Sequence, residues 1–156
     1  MSLTWTAQPA NPTVAIKGQD VSLTWHYALN AKEQTKSQTN FLAKFKKCNE
    51  SSSQCVEIAS YLKISGFNPT YSEQAPHIVV DRATGTSFAS IQINDVRIDD
   101  EGIYEIEISF QFGVVATDHE AILTVSGTFN VQEMNDLLHY CHQLISEHYV
   151  NIGNKL

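Results

Sequence analysis

The sequence predicts an all-β sandwich over residues 1–126, on three observations: apolar and polar residues alternate in short runs, turn-forming residues separate those runs, and no 3.6-residue apolar period is sustained. The segment around Trp5 and Val14 supplies the opening strands. Lys17-Gly18-Gln19-Asp20 is a turn, and beyond it Val21, Leu23 and Trp25 alternate with Ser22, Thr24 and His26. Phe41, Ala43 and Phe45 then alternate with Leu42, Lys44 and Lys46. Runs over 56–62, 78–81, 88–93, 104–110 and 121–125 bring the total to roughly eight or nine strands, the number a two-sheet sandwich of this kind needs.

After Ser126 the period changes. Val131, Met134, Leu138, Cys141 and Ile145 recur at spacings of three and four, Leu137 and Leu144 fill the same face, and Asn130 can cap a helix with Glu133 three residues on. The expectation is a sandwich domain over 1–126 and a tail over 127–156 that carries an amphipathic helix across 130–150. His139, Cys141, His142 and His148 in that tail invite a metal reading. His139 and His142 share a helix face, but the others do not converge with them as a zinc site of about four ligands requires, so no metal is expected there.

At 156 residues the chain is long enough to bury a core without disulfides or metals. Its net charge of -7 leaves no basic stripe to neutralise phosphates, which excludes nucleic acid as the expected partner and disfavours an anionic membrane surface. No apolar run reaches the roughly 18 residues of a membrane span, and Met1-Ser2-Leu3-Thr4 opens no signal peptide. The chain is thus read either as intracellular or as a fragment whose leader and membrane anchor lie outside it. It holds no Gly-x-Ser-x-Gly elbow, no His-Glu-x-x-His, no phosphate loop and no dinucleotide fingerprint. The acidic run Asp99-Asp100-Glu101 reads as part of a turn and not as acid–base machinery. No enzyme, cofactor or small-molecule substrate is expected.

Cys48-Asn-Glu-Ser-Ser-Ser-Gln-Cys55 reads as a hairpin loop whose two thiols either close a disulfide or remain reduced in a cytosolic protein. Within it Asn49-Glu50-Ser51 is an N-glycosylation sequon. The two features together favour the secretory route.

The most specific stretch runs from Ile93 to Tyr104, where an apolar strand leads through Asp100-Glu101-Gly102-Ile103-Tyr104 into the next strand. Gly102 permits the tight backbone, and the Tyr104 hydroxyl is expected to bond back to main chain and lock the corner. This resembles the immunoglobulin Asp-x-Gly-x-Tyr corner, and Gly18, Val21 and Leu23 match the family's Gly-x-x-Val-x-Leu-x-Cys. Both cysteines of the family's inter-sheet bond are replaced, one by Trp25 and the other by Ile106. The resemblance implies that these two side chains meet in the core and fill the space of the missing bond. The chain length between Trp25 and Tyr104 implies a variable-type domain, with 56–62 as the added edge hairpin.

Variable-like domains that lack these cysteines and carry a local pair near the third strand are similar to the membrane-distal domains of cnidarian allorecognition proteins. That resemblance implies an extracellular, membrane-anchored protein on the plasma membrane that binds a like domain on a neighbouring cell. With Tyr104 and Ile106 inward, Glu105, Glu107, Ser109 and Gln111 point outward beside Lys44 and Lys46, a mixed-charge face suited to its own copy, with simple cross-strand pairing as the alternative. Tyr61 is the expected aromatic anchor, or else a core residue. Two other functions stay open: a structural domain of an intracellular filament or matrix protein, and a receptor domain for an unrelated ligand.

Overall fold

The computed structural model describes residues 3–49, 54–81, 87–110, 114–127 and 139. The chain divides into two compact units, Met1–Ser126 and Gly127–Leu156. In the second, His139 is helical and exposed; the remainder of the helix predicted over 130–150, with Cys141, His142 and His148, lies outside the described residues.

The first unit is a sandwich of two sheets. In chain order its elements are β1 (Thr4–Ala7), β2 (Thr13–Ile16), β3 (Val21–Ala28), α1 (Ala31–Thr39), β4 (Asn40–Cys48), β5 (Cys55–Ile64), β6 (Thr70–Glu73), β7 (Ile78–Asp81), β8 (Phe88–Ile93), a 3₁₀ turn at Ile98–Asp100, β9 (Gly102–Phe110) and β10 (Val114–Ser126). One sheet has the order β1-β3-β8-β7, the other β2-β10-β9-β4-β5-β6. All pairings are antiparallel except β10 with β2, which is parallel.

Alternation along each strand sends one set of side chains between the sheets. Leu23, Trp25 and Tyr27 enter from β3, Phe41, Ala43 and Phe45 from β4, and Tyr104, Ile106, Ile108 and Phe110 from β9, all of them buried. Trp25 and Ile106 are both fully buried. The Trp25 indole lies 5.9 Å from the Phe45 ring, and Phe45 is the register partner of Ile106, so the indole meets the opposite sheet at this row. Aromatic area occupies the middle of the sandwich, where it removes apolar surface from water without a covalent link.

The corner before β9 is held from several sides. The Tyr104 hydroxyl donates to the Asp100 carbonyl at 2.6 Å. The Asp100 carboxylate accepts the Arg97 N–H at 2.8 Å and contacts His77 Nε2 at 2.9 Å. His77 closes the turn into β7, and its carbonyl accepts the Asn94 N–H at 2.7 Å, so together with the His77–Asp100 contact it ties the two loops together. Gly102 sits at φ +152°, a conformation that strains any L side chain, and a Cβ there would also press to 3.1 Å from Lys47 Cε, so that the lysine side chain would have to give way. Burial, with the Asp100 charge adding to it, pushes the Tyr104 hydroxyl above the ordinary tyrosine range; burial, then Tyr61, does the same to Tyr27.

Two elements lie beyond the expected set. α1 is polar, without the apolar period by which helices are found, and is started by a capping box: the Asn30 side chain accepts the Lys32 and Glu33 N–H groups, and the Glu33 carboxylate accepts the Asn30 N–H at 3.0 Å. β6 is exposed at every residue and shows no alternation to read. Its presence also corrects the expected edge, because β6 pairs with Leu62, Tyr61, Ser60 and Ala59 of β5 and takes the outer position along that stretch.

Candidate recognition face

The outward side of the six-stranded sheet gathers most of the charged residues singled out in the sequence. On β4 the buried Phe41, Ala43 and Phe45 force Leu42, Lys44 and Lys46 to the other face, and on β9 the same logic turns Glu105, Glu107 and Ser109 outward. Gln111 lies outside the described residues. The two strands are paired so that Lys44 stands opposite Glu107, Lys46 opposite Glu105 and Leu42 opposite Ser109. A register shift in the β4–β5 ladder places Glu57 opposite Lys46.

Within the chain these charges already pair. Lys46 Nζ lies 2.6 Å from Glu107 Oε2, both half-buried, and Lys44 Nζ lies 3.7 Å from Glu57 Oε2. The cross-strand pairing weighed as an alternative to a binding face is therefore present. Each such pair is worth under about 1 kcal/mol and leaves the face polar, ordered and open to further contacts.

Tyr61 requires a correction. It is only 5% exposed, packed 5.9 Å from the Phe41 ring and 5.2 Å from the Tyr71 ring, so it is a core residue and no surface anchor. Its inward direction follows from its register opposite Ala43, itself fully buried. Burial, then its neighbour Tyr71, raises its hydroxyl above the usual range. The exposed aromatics of this edge are Tyr71 and Phe67, in and just before β6. Phe67 follows the turn glycine Gly66 and lacks strand alternation, so nothing in the local pattern singles it out.

One end of the face is apolar. Ile103 of β9 pairs with Ile122 of β10 on one side and with Cys48 of β4 on the other, and Cys48 pairs with Cys55. Val14, Ile16 and Ile122 are exposed here. Cys48 and Cys55 form a disulfide that closes the β4–β5 hairpin, as one of the two readings of the loop expected. Asn49 is exposed in that loop, where its N–H donates to the Gln54 carbonyl at 3.0 Å; Ser51 of the sequon lies outside the described residues.

For so short a loop, chain-entropy arguments put the disulfide's contribution at about 2–3 kcal/mol. The Cys48→Ser, Cys55→Ser double variant is expected to lose that amount in urea unfolding while keeping the far- and near-UV circular dichroism of the parent. A loss of tertiary signal would mean that the hairpin bond organises the core, against the geometry given above.

Among the described residues no helix is long and apolar enough to cross a membrane. No protein-family model matches the chain, and no curated protein matches it in sequence.

Proposed function

We propose that Met1–Ser126 is a variable-type immunoglobulin domain acting as an extracellular recognition module, and that its partner is a second copy of itself on an opposing cell. Several features support the domain type: sheets of four and six strands, β10 running parallel beside β2, and a tyrosine hydroxyl bonded back to the Asp100 carbonyl. The disulfide supports an oxidising compartment. The resemblance to cnidarian allorecognition domains supports self/non-self discrimination as the use, with membrane attachment supplied outside this chain and Asn49 as a glycan acceptor.

The observation that carries the homophilic reading is the register of charge on the outer face. Lys44 and Lys46 line one side of the β4–β9 seam, and Glu107 and Glu105 line the other at the same heights. A twofold axis laid along that seam brings Glu107 of one copy over Lys44 of the other, and Glu105 over Lys46, each contact generated twice to give four in all. In the register of its charges the face is complementary to itself.

Two bead populations densely coated with the chain should cluster, dense display compensating for weak single contacts. Lys44→Glu and Glu107→Lys beads should each cluster less with themselves than wild type does. Absence of wild-type clustering would reject self-recognition, and undiminished clustering of both variants would reject this face.

A further inference from the structure

We propose that the Cys48–Cys55 pair and Glu105 form a binding site for a thiophilic divalent cation of the zinc type when the disulfide is reduced. The proposal concerns the chain under reducing conditions and does not rest on the recognition reading. Its basis is placement. Cys48 and Cys55 face each other across β4 and β5, and Glu105, which follows Cys48's register partner Ile103 by two residues, projects from β9 on the same face. The two sulfurs and a carboxylate oxygen of Glu105 all lie within 4.8 Å of one another.

Tetrahedral zinc holds sulfur at about 2.3 Å and carboxylate oxygen at about 2.0–2.2 Å, which sets bound sulfurs about 3.8 Å apart. Once the S–S bond is broken, side-chain rotation alone can open the sulfurs to that separation, with no need for the paired strands to move. The third ligand is already on the adjoining strand. Three protein ligands leave a fourth position to water, the open arrangement of zinc sites that exchange ligands.

Access is present from the loop side. Cys55 is exposed, and a recess of about 350 Å³ lined by Lys47, Cys48, Asn49, Gln54, Val56 and Ile58 reaches Cys48. The chemistry balances with a dithiol as reductant. One thiolate of the dithiol attacks a cysteine sulfur, its second thiol resolves the mixed disulfide, and the chain gains two electrons and two protons while the dithiol closes to its own disulfide. Binding of the cation then releases the two thiol protons. The disulfide and the metal complex are alternative covalent states of the same three side chains, so the cation is excluded wherever the bond is intact.

The test uses the full chain, reduced with a dithiol that is then removed anaerobically, and titrated with Co²⁺ as the spectroscopic probe. One Co²⁺ per chain is expected, with thiolate charge-transfer bands and tetrahedral d–d bands that Zn²⁺ bleaches, and none with the oxidised chain. Glu105→Gln should weaken binding about tenfold or more, Cys48→Ser should abolish it, and Cys141→Ser should leave it unchanged. The proposal is overturned if the reduced chain binds no cobalt, if Glu105→Gln binds as tightly as wild type, or if Cys141→Ser removes the signal. Loss of the near-UV circular dichroism on reduction also overturns it, since the site depends on the paired strands staying in place.

Discussion

Replacing Trp25 by alanine is expected to cost about 3–5 kcal/mol, a large share of the stability of an ordinary domain of this size. The indole is fully buried, stacks at a tilt against Phe45, and stands at the row where Ile106 enters from the opposite sheet, so truncation leaves a void bounded by both sheets. Trp25→Phe should behave differently. The Trp25 Nε1 is buried without a hydrogen-bond partner among the described residues, and phenylalanine removes that unsatisfied donor along with part of the ring. A buried unpaired donor costs about 1–3 kcal/mol, which offsets much of the lost volume, so the net cost should stay under about 2 kcal/mol. Urea midpoints at unchanged m-value measure both. Equal losses for the two variants would mean that the indole N–H is satisfied in the folded chain.

The second large effect lies at the corner. Asp100→Ala strips the acceptor from the Arg97 N–H and from His77, and should cost about 2–4 kcal/mol. Tyr104→Phe removes only the hydroxyl bond to the Asp100 carbonyl and should cost about 1–2 kcal/mol near neutral pH. Alkali separates the two further. Tyr104 and Tyr27 are held protonated in the folded chain by burial, and their pKa values rise above the unfolded value of about 10. The stabilisation is complete below pH 10 and is lost as the pH rises beyond it, because the unfolded chain then gives up protons that the folded chain retains. Each tyrosine contributes about 1.4 kcal/mol per pH unit to that decline. Tyr104→Phe should therefore flatten the alkaline slope by about that amount, whereas Asp100→Ala should leave Tyr104, Tyr27 and Tyr61 raised by burial and a slope nearer the parent's.

The parts legible in the sequence are those where burial on one side writes a period into the chain. β3, β4 and β9 each bury alternate residues under a polar outer face, so their positions, their inward sets and the charges behind them could be read directly. The corner was legible because its glycine and tyrosine are fixed by backbone space and by a single hydrogen bond. α1 and β6 were not, since neither buries an apolar stripe. The Asn30-x-x-Glu33 capping box was the one signal for α1, and it is a signal of where a helix starts and not of its length. Tyr61 and Tyr71 show the limit of pattern at an edge. They are register partners, yet one is buried and the other open, because a neighbouring strand and the opposite sheet cover only the first.

The position of the single described disulfide has a mechanical consequence. An inter-sheet bond between the places of Trp25 and Ile106 would shield roughly 80 residues from extension under load, about 280 Å of chain at about 3.4–3.5 Å per residue. The bond between Cys48 and Cys55 shields only the hairpin tip. If cells pull on this domain through their attachment, its resistance rests on strand pairing and aromatic packing, and once these yield nearly the whole sandwich pays out as slack.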